Sequence, residues 1–304
     1  MKKTFLTIIS FSLLAFLWGS SFPVIKIGLN SAPPFLYVGI RCFFAGLAMM
    51  IIALFIEKMP DFRKTWHIFL ICSLTNVTLF QAFHGIALLY LPSGLSAIII
   101  YLQPVLTAFL AWIWLKEEMN LTKITGLFLG VAGVAIVSFE GISGAISPLG
   151  ILLALGASLS WTVGTVYFKH AQDKVPVLWL VGLQFLLGGI VLLPAGFIFE
   201  NWNDISWNFT FWWTASYTSL FSISLAWVLW LNLVRQGEAG RVSAYTFLTP
   251  LVAVLLGVIF LDESFTFYLA FGALLIIISI YLVNRTPVKD KSRASLGEAK
   301  KVNV

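Results

Sequence analysis

The sequence predicts an all-α integral membrane protein of ten transmembrane helices, and three observations carry that reading. The 304 residues are 60% hydrophobic and only 11% charged, with a mean hydropathy of +0.95, whereas roughly a quarter of an ordinary soluble domain is charged. The apolar residues come in long runs, each near the ~20 residues that a helix rising 1.5 Å per residue needs to cross ~30 Å of hydrocarbon. The basic residues then fall in alternate gaps between the runs.

In chain order the runs lie near residues 5–29, 35–56, 66–89, 92–115, 122–139, 148–168, 176–199, 209–234, 241–261 and 264–284, each bounded by charge, Pro or Asn. Backbone groups in lipid need internal partners, and runs this long that alternate so little do not suit barrel strands, so each is expected as a helix. The first run follows Lys2 and Lys3 without a small-residue cleavage site, which predicts a retained helix and not a signal peptide.

Charge sets the expected orientation, because positively charged loops stay on the cytoplasmic side. With the N-terminus inside, the inner segments take Lys2 and Lys3, then Lys58, Arg63 and Lys64, then Lys116 and Lys123, Lys169 and Lys174, Arg235 and Arg241, and the tail from Arg285. Only Lys26 and Arg41 of the 19 basic residues fall elsewhere, while Glu140, Glu200, Asp204, Asp262 and Glu263 sit in outer loops. Both termini are therefore expected in the cytoplasm. The net charge of +6 does not point to nucleic acid, since the basic residues come in ones and twos and form no clustered face. Cys42 and Cys72 fall in separate runs, and neither a disulfide framework nor a metal spacing is present.

The chain also matches itself. At a shift of 143, Trp18 meets Trp161, Lys26 meets Lys169, Val38-Gly39-Ile40-Arg41 meets Val181-Gly182-Leu183-Gln184, and Gly46 meets Gly189. At a shift of 146, Gly94 meets Gly240, Pro104 meets Pro250, Leu115 meets Leu261, Glu117 meets Glu263 and Gly126 meets Gly272. Residues 1–140 and 141–284 thus form two five-helix repeats, followed by a basic cytoplasmic tail, 285–304. An odd number of helices per repeat makes the second enter the membrane inverted, an arrangement characteristic of secondary transporters.

These residues resemble a known family, the EamA-type proteins of the drug/metabolite transporter superfamily. The likeness spans about residues 5–284 and lies in Trp18-Gly19-Ser20-Ser21-Phe22 with Lys26, in Arg41, in the run from Ser93 through Pro104 to Glu117, and more loosely in Pro250, Leu261, Asp262, Glu263 and Gly272. The resemblance implies ten helices, cytoplasmic termini, and a central cavity lined mainly by helices one, three, four, six, eight and nine. It also implies transport of amino acids, metabolites, drugs or nucleotide precursors, without naming the substrate.

Polar groups inside a bilayer are costly and turn to the bundle interior, so they are the first candidates for the lining. At 100° per residue Asn76, Gln81 and His84, with Ser73, share one side of the third helix, a stripe that reads either as lining or as helix-to-helix hydrogen bonding. A shift of 146 carries Gln81 to Trp227 and His84 to Trp230, setting an aromatic wall against the polar one. Tyr101 and Gln103 precede Pro104, and Tyr245 and Thr249 precede Pro250; each proline frees the carbonyl four residues earlier, that of Ile100 or Thr246, and bends its helix near the midplane. Trp18 and Trp161 complete the candidate substrate-binding set, with Pro104 and Pro250 as kinks or gates. Arg41, seven residues into the second helix, reads either as snorkelling to the outer headgroups or as an anion contact or gate.

All thirteen acids fall in loops or at span ends, leaving no midplane carboxylate to bind a cation. The expected substrate is a small neutral or zwitterionic metabolite such as an amino acid, exported by alternating access. The alternatives are a channel-like facilitator and a proton-coupled drug exporter using His84, the one midspan side chain that titrates near neutrality. No Gly-x-Ser-x-Gly, His-Glu-x-x-His or paired intramembrane aspartates appear, so no enzyme is expected. Nor is any cofactor, metal or nucleic-acid partner. The expected setting is the cytoplasmic (inner) membrane of a bacterium, as a monomer or weak homodimer.

Overall fold

The computed structural model describes residues 2–91, 93–138, 147–260 and 266–285, and the regular structure among them is entirely helical. In order these are α1, Lys2–Gly28; α2, Pro34–Ile56; α3, built from Phe62–Cys72, a π-helical Ser73–Leu79 and Phe80–Tyr90; and α4, in two pieces, Ser93–Ile100 and Gln103–Trp114. Then follow α5, Leu121–Val137; α6, Pro148–Ala171; α7, Val177–Phe199; and α8, built from Phe209–Tyr217, a π-helical Thr218–Leu225 and Ala226–Gln236. Last come α9, Ala239–Ala244 with a 3-10 turn at Tyr245–Phe247 and then Leu248–Phe260, and α10, Phe267–Arg285. Nine are long and apolar enough to cross a membrane. The tenth, α5, has 17 residues and is about 25 Å long. The expectations placed on Glu140, Asp262, Glu263 and the tail beyond Arg285 lie outside the described residues.

Helix starts follow local chemistry. Proline stands in the first turn or as the cap of α2, α6 and α7, where its missing N–H is not needed. The Asn120 side chain accepts the Lys123 N–H and that of Asn208 the Phe211 N–H, both at 2.8 Å, satisfying donors that a helix start leaves open. The outer surface is apolar, with Phe55 86% and Phe209 82% exposed, as a chain solvated by hydrocarbon requires.

The closest helix pairs are made by glycine. A β-carbon added to Gly46 of α2 would lie 2.2 Å from the Leu186 nitrogen of α7, and one on Gly189 would lie 2.6 Å from the Phe43 nitrogen of α2. Those are the same two positions carried 143 residues along the chain. In α5 and α10 the couple recurs at 146: a β-carbon added to Gly126 would lie 3.1 Å from the Ser279 carbonyl oxygen, and one on Gly272 would lie 2.8 Å from that of Gly133. Small residues at such crossings let backbones touch where no hydrophobic effect drives helices together. Gly46→Ala places its methyl against backbone, which cannot swing aside, so it is expected to cost about 1–3 kcal/mol, read as a lower unfolding midpoint in detergent. Gly85→Ala is the control, since its added carbon would meet the Phe35 ring at 3.5 Å, ordinary contact.

α2 and α7 also run antiparallel and cap each other. Glu200, at the end of α7, accepts the Phe35 and Leu36 N–H groups at the start of α2, both at 2.8 Å. Glu57, at the end of α2, accepts the Leu178 and Trp179 N–H groups at the start of α7, at 2.9 and 3.2 Å. Both carboxylates meet the positive end of a helix dipole.

Candidate functional site

The centre of the bundle is a knot of indoles. Trp18 of α1 has its ring 5.7 Å from Trp161 of α6, 6.1 Å from Trp227 and 5.6 Å from Trp230 of α8, and Trp161 and Trp230 are 6.0 Å apart. Phe80 of α3 adds a ring 5.6 Å from Trp161, and Phe185 of α7 one 5.3 Å from Trp227. Aromatic edges and faces attract at these separations. The Trp18 Nε1–H donates to the Ser222 carbonyl at 3.1 Å, while the buried Nε1–H groups of Trp161 and Trp230 have no partner in the protein. A donor sealed from water without an acceptor costs free energy, and packing alone does not account for these two.

The acceptor at Ser222 exists because α8 is π-helical there. A π turn breaks the regular i→i−4 ladder and is frequent at functional sites. α3 carries a π segment at the corresponding place, Ser73–Leu79, where a uniform 100° per residue does not hold, and Asn76 and Gln81 meet different partners. Asn76, 1% exposed, donates to Gln184 of α7 at 3.3 Å and packs on Gly164 of α6. Gln81 lies instead in a small recess with Pro34, Phe35, Val38, Gly85 and Leu192, and the His84 ring lies 5.8 Å from that of Phe80.

The prolines do more than bend their helices. α4 breaks outright between Ile100 and Gln103, and α9 tightens into a 3-10 turn at Tyr245–Phe247. The Ile100 carbonyl freed by Pro104 accepts the Ser158 hydroxyl of α6 at 3.1 Å. Next to the break, the fully buried Gln103 donates to Thr107 at 2.8 Å, its carbonyl oxygen Oε1 has no partner, and Thr162 Oγ1 reaches its main-chain oxygen at 3.5 Å. The Tyr101 hydroxyl lies beside Thr249. Tyr245 stacks on Phe11 of α1 with centroids 3.6 Å apart. Thus Trp18 meets both Trp161 and Trp227, while Tyr101 with Thr249, and Tyr245 with Phe11, join the broken helices to each other and to α1.

Arg41 does not snorkel. It is 4% exposed, its Cζ lies 5.2 Å from the centroid of the Tyr37 ring, and its side-chain Nε and Nη1 have no partner. The surroundings explain this: α8 packs across this part of α2, with the Ser219 hydroxyl bonding the Arg41 carbonyl at 3.1 Å.

One end of the bundle is closed by charge. Lys123, 1% exposed, places Nζ 3.0 Å from the Glu118 carbonyl, 3.4 Å from Glu238 and 3.8 Å from Glu117, and Arg241 pairs with Glu238 at 2.8 Å. Glu117 accepts the Ala239 N–H at the start of α9, and the Gly240 N–H at 3.1 Å. Burial holds the Glu117 pKa above the usual carboxylate range, against the opposing pull of the Gly240 N–H, Lys123 and the Ala239 N–H. Lys169 bonds the Arg235 carbonyl at 3.0 Å and Arg235 bonds the Val175 carbonyl at 2.7 Å, beside a cavity of 430 Å³ lined in part by Lys58, Asp173 and Lys174.

Sequence reasoning left out Trp230 as a site residue, Phe80, Gln184 and the threonines at 107 and 162. A signal for Gln184 was present, since it is the repeat counterpart of Arg41.

Comparison with known proteins agrees with this architecture. A solved crystal structure superposes with a TM-score of 0.80 over 91% of this chain and 96% of its own at 17% identity, a likeness of fold alone. YvbV, an uncharacterized transporter of Bacillus subtilis (strain 168), is 43% identical over 288 residues, covering 94% of each chain. YedA, an uncharacterized inner membrane transporter of Escherichia coli (strain K12), is 27% identical over 248 residues, covering 79% of this chain and 78% of its own. The EamA-like transporter family matches residues 5–139 and again residues 148–285. With nine apolar helices of spanning length among the described residues, all within the two matched segments, the chain belongs to the EamA-like transporter family and is a multi-span membrane protein.

Proposed function

We propose that the chain exports a small neutral or zwitterionic metabolite, such as an amino acid, by alternating access around the tryptophan knot. The observation that carries this is the pair of buried, unpartnered indole N–H groups of Trp161 and Trp230, held where α1, α6 and α8 converge. Aromatic faces there suit an apolar body, and the two donors suit a carbonyl or carboxylate oxygen. Ten spans, cytoplasmic termini and two inverted halves, 1–140 and 141–284, complete the reading. It is supported by the reciprocal contacts at shifts of 143 and 146, by the mutual caps of Glu57 and Glu200, and by the paired π segments of α3 and α8. Halves of like shape and opposite sense rock about a central site. The charged cluster around Lys123 is then the closed gate of one state, on the cytoplasmic side, and it opens as the other end shuts.

The lack of a midspan carboxylate favours weak or absent proton coupling. In liposomes containing the full chain, labelled leucine, methionine or phenylalanine is expected to equilibrate without an imposed proton gradient, at a rate that gradient changes less than twofold. Uptake strictly dependent on the gradient and surviving His84→Gln contradicts the uncoupled reading, and uptake equal to that of empty liposomes contradicts transport of these solutes.

A further inference from the structure

Arg41 is an unpaired cation in the protein interior. No carboxylate forms an ion pair with it among the described residues, and the titratable side chains that act on it electrostatically are Cys42 and Tyr37. A guanidinium does not shed its proton to escape burial, and an isolated charge inside a membrane protein is costly, so one that persists points to a function. The Tyr37 hydroxyl, in a fully buried residue 5.2 Å away by ring centroid, also has no partner. Two neighbouring side chains thus present sealed, unused polar groups.

The repeat sharpens the point. The counterpart of Arg41 in the second half is the uncharged Gln184, whose side-chain oxygen accepts from Asn76 of α3 at 3.3 Å while its Nε2 has no partner. On the Arg41 side, the π segment of α8 offers Ser219, whose hydroxyl goes to the main-chain oxygen of Arg41 and leaves Nε and Nη1 without a partner. That same π segment accepts the Trp18 indole at Ser222, three residues on. Counted at 1.5 Å per residue from the shared end of α1 and α2, Arg41 lies about 10 Å deep and Trp18 about 15 Å. Arg41 thus lies nearer that end and Trp18 nearer the midplane of a ~30 Å hydrocarbon core.

We infer that Arg41, with Tyr37 beside it, receives the carboxylate of the transported solute together with the free indole N–H donors, while the aromatic faces of the tryptophan knot receive its apolar part, so that the substrate class is an apolar amino or related carboxylic acid. This rests on the proposed transport function and adds the anionic group to it. Arginine suits the role because its planar fork bonds both carboxylate oxygens.

The test is uptake of labelled leucine, methionine and phenylalanine into liposomes holding the full chain, with each unlabelled amino acid or its amide as competitor. In the wild type the amide is expected to compete at least tenfold more weakly than the acid. In Arg41→Gln uptake should fall at least tenfold, and the acid and amide should then compete within twofold of each other. Arg41→Lys should keep the acid preference with a half-saturating concentration raised at least threefold. Amides competing as well as acids in the wild type, or a folded Arg41→Gln that retains the preference, overturns the inference and leaves transport standing. Should Arg41→Gln not fold, an unchanged half-saturating concentration in Arg41→Lys overturns it. Absence of uptake of all three amino acids by the wild type overturns both readings.

Discussion

Trp161→Phe is expected to leave the empty protein as stable as the wild type or more so, while slowing transport about tenfold. The substitution keeps a ring against Trp18, Phe80 and Trp230 and deletes an indole N–H that has no partner in the protein. Removing a buried, unsatisfied donor relieves a penalty of about 1–3 kcal/mol, offset in part by the smaller ring, whereas losing one hydrogen bond to substrate costs about 0.5–1.5 kcal/mol. The upper part of that range is tenfold in rate or affinity, because about 1.4 kcal/mol is a factor of ten. Trp18→Phe is the contrast. Its N–H already bonds the Ser222 carbonyl, so its loss strands an acceptor in the π segment, and the unfolding midpoint should fall. Initial uptake rates and unfolding midpoints of both variants, measured on one preparation, check the pair. A Trp161→Phe protein that is destabilised yet transports normally assigns the indole to packing alone.

Lys123→Met is expected to give the largest stability loss at the charged end, on the order of 3–5 kcal/mol, the usual cost of removing one partner from a buried ion pair. It leaves Glu117 buried with only the Ala239 and Gly240 N–H groups as partners, while Glu238 keeps Arg241. Burial already raises the Glu117 pKa, and losing the lysine raises it further. An acid whose folded pKa lies above its unfolded value binds more protons folded than unfolded, so stability falls as pH rises between the two values. The defect should therefore shrink on acidification and be largely reversed by Glu117→Gln in the same chain. Unfolding midpoints at pH 5 and pH 8 for the single and double variants read this out, and a pH-independent loss that the double variant does not repair contradicts it.

The helices were legible because lipid leaves the chain little choice: apolar runs bounded by proline, asparagine and charge gave ends within a few residues of those found for α2, α5 and α7. The site was legible in part. Trp18, Trp161 and Trp227 could be picked out because large aromatics at matched positions of a repeat are rare. The π segments could not be seen, since Ser73–Leu79 and Thr218–Leu225 differ from ordinary helix in hydrogen-bond register and not in composition. Arg41 stayed open between two readings for another reason. Depth along a helix was readable, but α8 covering it, through Ser219, is a tertiary fact. The mutual caps of Glu57 and Glu200 were within reach at the shift of 143 already in use, but charges at span ends read as loop residues.

The central claim is that one binding site faces the two sides of the membrane in turn, and counterflow measures it most directly. Liposomes holding the full chain are loaded with concentrated unlabelled leucine, methionine or phenylalanine and diluted into a trace of the same compound carrying label. Alternating access predicts that label accumulates transiently above its equilibrium level inside, by an amount that saturates with internal concentration and is lost in Arg41→Gln. Label that only approaches equilibrium, at a rate linear in concentration and unaffected by the internal load, contradicts the account and makes the protein a channel.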